Sequence, residues 1–263
     1  MQNLRKYIDG KRQNNEKLLS VFLTTGYPNL HTTLPLLQAI AEGGADMIEL
    51  GVPFSDPLAD GATIQAASQK ALDAGATLSY ALETASQFTQ QVDIPLLLMG
   101  YANPFMQFGW DHLIEHAQDA GIGGYIIPDL PPEESKSIIQ KMQAAAQSLV
   151  FLVSPNTSPE RIAAINELTN SFIYAVSITG TTGARSDLSE ATENFLQQLH
   201  RQTPHPVLVG FGISNPATAK NLSQQCDGVI VGSAMIDCIS QFTDIESACK
   251  AAFKFTAELK SAL

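Results

Sequence analysis

Eight short apolar runs recur along this chain, and each is continuous rather than alternating. They are LSVFLTT (19–25), DMIEL (46–50), PLLLMGY (95–101), GGYIIP (123–128), LVFLVS (149–154), SFIYAVS (171–177), PVLVG (206–210) and DGVIVG (227–232). A strand covered on one face alternates in polarity; a strand covered on both does not. Burial on both faces belongs to a parallel sheet dressed with helices. Helical patterns fill the gaps. TLPLLQAIAEGGA sets Leu34, Leu37, Ile40 and Ala41 on one face and stops at Gly43-Gly44. SYALETASQFTQQ, WDHLIEHAQDAGI, PEESKSIIQKMQAAAQ, SPERIAAINELT, ATENFLQQLHRQ and NPATAKNLSQQ follow, several opening on Ser, Pro, Asp or Asn.

Eight strands alternating with helices predict an α/β fold, a (β/α)8 TIM barrel with an extra N-terminal helix over 1–13. The length of 263 residues suits one such barrel, and no low-complexity linker divides it, so 1–263 is expected to be a single domain. A doubly wound open sheet is the alternative. It is weakened by the strand count and by the lack of a G-x-G-x-x-G turn after the first strand.

A formal net charge of -11 argues against non-specific binding to nucleic acid or to an anionic membrane, since both need clustered Lys and Arg. The N-terminal segment is polar, without the apolar core of a signal peptide, and no apolar run reaches the roughly 18 residues of a membrane span. Cys226, Cys238 and Cys249 show no close pairing, which fits reduced structural thiols. The expectation is a cytoplasmic protein.

In this architecture chemistry gathers at the carboxyl ends of the strands. DMIELGVPFSDPLADG then stands out: Glu49 interrupts an apolar strand near its exit, and Asp60 lies in the turn-rich loop that follows. A buried carboxylate is costly without a partner or a task. Glu49 is either a hydrogen-bond or salt-bridge anchor or a catalytic group, and its position favours catalysis. VGFGIS (209–214) and VGSAMI (231–236) follow strands seven and eight, the second opening a short helix. Phosphate sites in such barrels are often built there, from backbone N–H groups and a helix N-terminus. Gly212, Gly232 and Ser233 are the expected donors. SITGTTGARSDL (177–188) after strand six has the small, polar composition of a lid; Gly183 can add a donor, and Arg185 is read as a latch or as solvated. Tyr101, Tyr174, Phe22 and Met99 either pack the core or form a flat apolar slot for an aromatic ring. HLIEH matches a zinc pattern, but His112 and His116 fall on an outer helix and read as a surface pair.

ELGVPFSDPLADGATIQ, YANP, PDLPPEES, SPNTSPERI, SITGTTGAR, GFGIS and VGSA, in this order, resemble the tryptophan synthase alpha subunit family. The resemblance implies cleavage of indole-3-glycerol phosphate to indole and glyceraldehyde 3-phosphate in tryptophan biosynthesis. It implies an acid–base pair in Glu49 and Asp60, phosphate binding by Gly183, Gly212, Gly232 and Ser233, and substrate contacts from Tyr174, Phe22 and Met99. It implies a beta-subunit partner in an αββα complex, with 53–60, 102–109 and 129–135 as contact loops. The chemistry that fits these residue types has Glu49, raised in pKa by an apolar setting, protonating the indole ring. Asp60, on a polar loop, stays ionised and accepts the indole N–H. No metal or organic cofactor is called for. Another phosphosugar lyase or isomerase explains the glycine loops but not the strand-two motif. A non-catalytic barrel that only activates a partner leaves the acidic pair unexplained.

Overall fold

The computed structural model describes residues 3–176, 190–210 and 212–263. Its centre is a closed parallel barrel of eight strands paired in chain order. The strands are β1 (Leu18–Thr24), β2 (Met47–Gly51), β3 (Leu96–Met99), β4 (Ile122–Ile126), β5 (Ser148–Val153), β6 (Ile173–Ala175), β7 (Val207–Val209) and β8 (Gly228–Val231). Each overlaps an apolar run read from sequence, with β1, β2, β4 and β5 reaching one residue beyond it, and β8 pairs back to β1 with Leu19 opposite Val229. The open-sheet alternative is thereby set aside.

Around the strands lie α1 (Leu4–Gln13), α2 (Thr33–Glu42), α3 (Ala62–Asp73), α4 (Leu78–Thr89), α5 (Ala102–Phe108), α6 (Trp110–Asp119), α7 (Pro132–Ala144), α8 (Pro159–Leu168), α9 (Glu190–Gln202), α10 (Pro216–Ser223), α11 (Ser233–Ser240) and α12 (Ile245–Ser261). Helix α1 is the extra N-terminal helix. Asn3 caps it, accepting the Lys6 N–H. Its Leu4 and Ile8, one turn apart, are fully buried against the barrel-interior residues Leu18, Met47, Leu97, Leu208 and Ile230. Burying each is worth about 2 kcal/mol, so α1 acts as the floor of the barrel. A larger apolar layer lies between the strands and the outer helices.

Three helices go beyond those read from sequence: α3, α5 and α12. The buried face of α12 is built from Ala248, Ala252, Thr256 and Leu259, while Ile245 and Phe253 are exposed. Small residues allow close approach to α2, where a Cβ on Gly43 would lie 2.7 Å from the Phe253 carbonyl oxygen. Such a face carries little hydrophobic periodicity. Among the described residues no helix is long and apolar enough to cross a membrane.

Candidate active site

Strand β2 delivers Glu49 into the barrel. Its neighbours in the ladder are Phe22 on β1 and Leu97 on β3. Glu49 is 0% exposed. The Ser20 hydroxyl donates to its Oε1 at 2.8 Å, while Oε2 has no hydrogen-bond partner among the described residues. Burial drives its pKa up to about 8, against a small opposing pull from the Ser20 hydrogen bond. Among the described residues Glu49 makes no salt bridge, and its anchor is the Ser20 hydroxyl. Near neutrality it holds a proton that it can give away and take back.

Asp60 sits in the loop between β2 and α3, beside Tyr101. The Tyr101 hydroxyl donates to Asp60 Oδ2 at 3.0 Å and accepts the Ala59 N–H at 3.0 Å. The ring of Phe54 lies 5.4 Å from that of Tyr101. Asp60 is less wet than the loop composition suggests. It is half-buried, and desolvation lifts its pKa to about 6, with the Tyr101 hydrogen bond working the other way. The reason is tertiary: Tyr101, the N-cap residue of α5, meets the loop through its hydroxyl at Ala59 and Asp60 and through its ring at Phe54. Tyr101 accordingly lies past the end of β3, which closes at Met99, and not on the strand. Asp60 still titrates well below Glu49, so the two carboxyls occupy opposite protonation states between about 6 and about 8.

A cavity of about 130 Å³ opens above Glu49. Phe22, Ile64, Met99 and Tyr174 line it together with Gly210, Gly212, Ile213, Ile230, Gly232 and Ser233. A narrow slot continues toward Asp60, lined by Phe22, Gly51, Val52, Met99 and Tyr101. Phe22 and Met99 line both spaces, so the two carboxyls address one continuous apolar region. Tyr174 is buried, and the charges of both Glu49 and Asp60 add to the burial that holds its hydroxyl protonated.

Two glycines missed in the sequence set these walls. A Cβ on Gly51 would lie 2.5 Å from the Phe22 ring, and one on Gly210 would collide with the Tyr174 ring. Only the register reveals them, because each glycine meets its aromatic partner across the sheet. Ser20 was missed for the same reason.

The glycine-rich part of the lining suits an anion. Helix α11 starts at Ser233 with Gly232 as its N-cap, and both residues line the cavity. The helix dipole and the free first-turn N–H groups therefore point at it. Gly212 adopts φ +67, a left-handed backbone that favours glycine. Gly183 and Arg185, the remaining sequence-read residues, lie outside the described residues. His112 and His116 are exposed on α6 with rings 5.5 Å apart, away from this cavity, and His116 Nδ1 bonds the His112 carbonyl. Among the described residues no group of three or more His, Cys, Asp or Glu could hold a metal ion.

This arrangement has close relatives. The family model described as tryptophan synthase alpha chain matches residues 8–263. A tryptophan synthase alpha chain of Xylella fastidiosa is 41% identical over 253 residues, covering 96% of this chain and 94% of its own. One from a Roseiflexus species is 46% identical over 224 residues, covering 85% and 86%. Among solved structures, tryptophan synthase subunit alpha from Legionella pneumophila superposes with a TM-score of 0.92 at 33% identity, covering 100% of this chain and 98% of that one. Family model, sequence and barrel agree over nearly the whole length, and the chain belongs to the tryptophan synthase alpha chain family.

Proposed function

We infer that Glu49 and Asp60 divide the acid–base work in cleaving indole-3-glycerol phosphate to indole and glyceraldehyde 3-phosphate, the lyase step of tryptophan biosynthesis that belongs to this family. One observation carries the assignment: a fully buried carboxyl, with one oxygen unpartnered among the described residues, borders a cavity whose lining includes a helix N-terminus.

The substrate's phosphate lies against Gly212, Gly232 and Ser233, with Gly183 as a further donor. Its indole ring lies between Phe22, Met99 and Tyr174 and reaches into the slot under Asp60 and Tyr101. Glu49 gives its proton to ring carbon C3, making an indolenine cation. The ionised Asp60 accepts the indole N–H and stabilises the charge growing there. Glu49, now a carboxylate, takes the proton of the hydroxyl on the carbon attached to the ring. That O–H pair becomes the aldehyde carbonyl, the carbon–carbon bond breaks, and its electrons return to the ring. Indole leaves, and Glu49 is protonated again. The steps use carboxyl groups and backbone donors and call for no metal or organic cofactor.

The partner we propose is a beta subunit that consumes the indole, in an αββα complex. Leu58, in the loop before α3, is 92% exposed, and Met106 on α5 is 60% exposed. Both stand on segments at the carboxyl ends of the strands, and a partner seated there would cover them. Co-elution with a beta subunit and faster turnover check this; independent elution with unchanged rate counts against it. Cys226, Cys238 and Cys249 are all free thiols, which supports a reducing, cytoplasmic setting.

Incubating the pure chain with indole-3-glycerol phosphate should release indole, with a bell-shaped pH profile. The acid limb reports Asp60 near pH 6 and the alkaline limb Glu49 near pH 8. Asp60→Asn should lower kcat about 100-fold. A change confined to KM would remove the charge-stabilising role.

A further inference from the structure

Among the described residues the side chain of Ser20 has one hydrogen-bond partner, Glu49 Oε1. Ser20 is 0% exposed and stands in register with Met47 on β2 and Ile230 on β8, in an otherwise apolar barrel interior. A hydroxyl there costs stability unless it is hydrogen-bonded, and an alanine would fill the position without that cost. Its bond goes to Glu49, the carboxyl that lines the cavity.

We propose that Ser20 is a positioning residue for the acid–base carboxyl: its hydroxyl occupies Glu49 Oε1, so that the transferable proton is carried on Oε2. This rests on the assignment of Glu49 above. An oxygen accepting a hydrogen bond from a neighbour behaves as the carbonyl oxygen of a carboxylic acid, and the acid proton then resides on the other. Oε2 is that other oxygen, and among the described residues it has no partner. The proton leaves Oε2 for the ring carbon. The resulting carboxylate keeps the Ser20 bond, which is stronger to the ionised form, and Oε2 collects the hydroxyl proton. Ser20 thus fixes which atom shuttles the proton without touching substrate. The titratable neighbours are Tyr174 on β6 and Asp60 above. Tyr174 stays neutral, and Asp60 is engaged by Tyr101.

The test compares the full chain with Ser20→Ala, Ser20→Thr and Glu49→Gln. Infrared difference spectra of substrate-free protein give the carboxyl C=O stretch of protonated Glu49 as the band that Glu49→Gln abolishes. In Ser20→Ala that band should move to higher wavenumber, because its carbonyl oxygen has lost a donor. The alkaline limb of the kcat profile should move up by about one pH unit, since the lost bond favoured the ionised form. Turnover at pH 7 should fall about tenfold with KM unchanged. Ser20→Thr, which keeps the hydroxyl, should restore band and limb. An unmoved band and limb in a folded Ser20→Ala protein overturn the positioning role, even if stability or kcat drops. Should Ser20→Ala not fold, Ser20→Thr decides: a band and limb like those of the parent uphold the role, and displaced ones overturn it. Full turnover by Glu49→Gln would instead overturn the catalytic assignment, and the infrared band still reports the Ser20 contact by itself.

Discussion

Asp46 and Glu49 stand three residues apart, at the entrance and in the interior of β2, and both are buried, at 3% and 0% exposure. Asp46 lies at the floor and is saturated with donors. Lys260 Nζ sits 2.6 Å from Oδ2, Lys11 Nζ 3.1 Å from Oδ1, and the Leu19 N–H donates at 2.8 Å. These contacts tie α12, α1 and β1 to β2 at one point. Among the described residues Glu49, facing the mouth, receives one serine hydroxyl and no cation, and one of its oxygens has no partner. One short stretch of chain thus carries a carboxylate paired for stability just before β2 and, within the strand, another left short of partners among the described residues. On the proposed mechanism Glu49 gives up and recovers a proton, and a group with that task cannot be clamped in one charge state.

The contrast breaks most visibly at Glu49. Glu49→Gln should cut indole release about 1,000-fold, measured as kcat. Stability should move the other way. An unfolded glutamate ionises near its ordinary 4.5, whereas Glu49 in the fold ionises near about 8. Between these values the native state holds a proton that the unfolded chain has released, so stability falls as pH rises through that window. A glutamine does not titrate, so the variant should match the parent near pH 4 and exceed it at pH 8, as read by urea unfolding at both. A parent whose stability is flat from pH 5 to 8 would mean that Glu49 is not held protonated.

Asp46→Asn should do the reverse: turnover near normal, stability down by about 2–3 kcal/mol. That is at or below the low end for breaking a buried ion pair, because Lys11 and Lys260 keep 27% and 28% of their side chains in water. Thermal unfolding with a parallel indole assay checks it. A loss of kcat with unchanged stability would erase the distinction between floor and mouth.

The smallest effect is expected at Gly51, the last residue of the same strand. Gly51→Ala forces the Phe22 ring to shift and should cost about 1–2 kcal/mol. KM should rise several-fold, with kcat reduced less, because a wall of the slot moves while Glu49 stays. An unchanged KM would take Phe22 out of the substrate pocket.

The barrel was legible because strands buried on both faces need unbroken apolar runs, and all eight are local features of the sequence. The helices α3 and α5 were not. The first is rich in alanine, with a weak apolar stripe, and the second carries Asn103 and Pro104 just after Gly100, which read as a turn. Glu49 and Asp60 could be found because a charge in an apolar run and an acid in a turn-rich loop are visible anomalies. The setting of Asp60 was misjudged, since what dries it is a tyrosine 41 residues away.

By itself, then, the sequence determined the strand count, the closed α/β architecture, the two carboxyls and the glycine loops after strands seven and eight. All of these rest on neighbours along the chain, where hydrophobic period and turn chemistry act. Tertiary structure decided the rest: which oxygen of Glu49 is paired, how dry Asp60 becomes, and why Gly51 and Gly210 carry no side chain. Each of those depends on strand register and on contacts between elements far apart in sequence, and proton affinity follows the desolvation that such contacts impose.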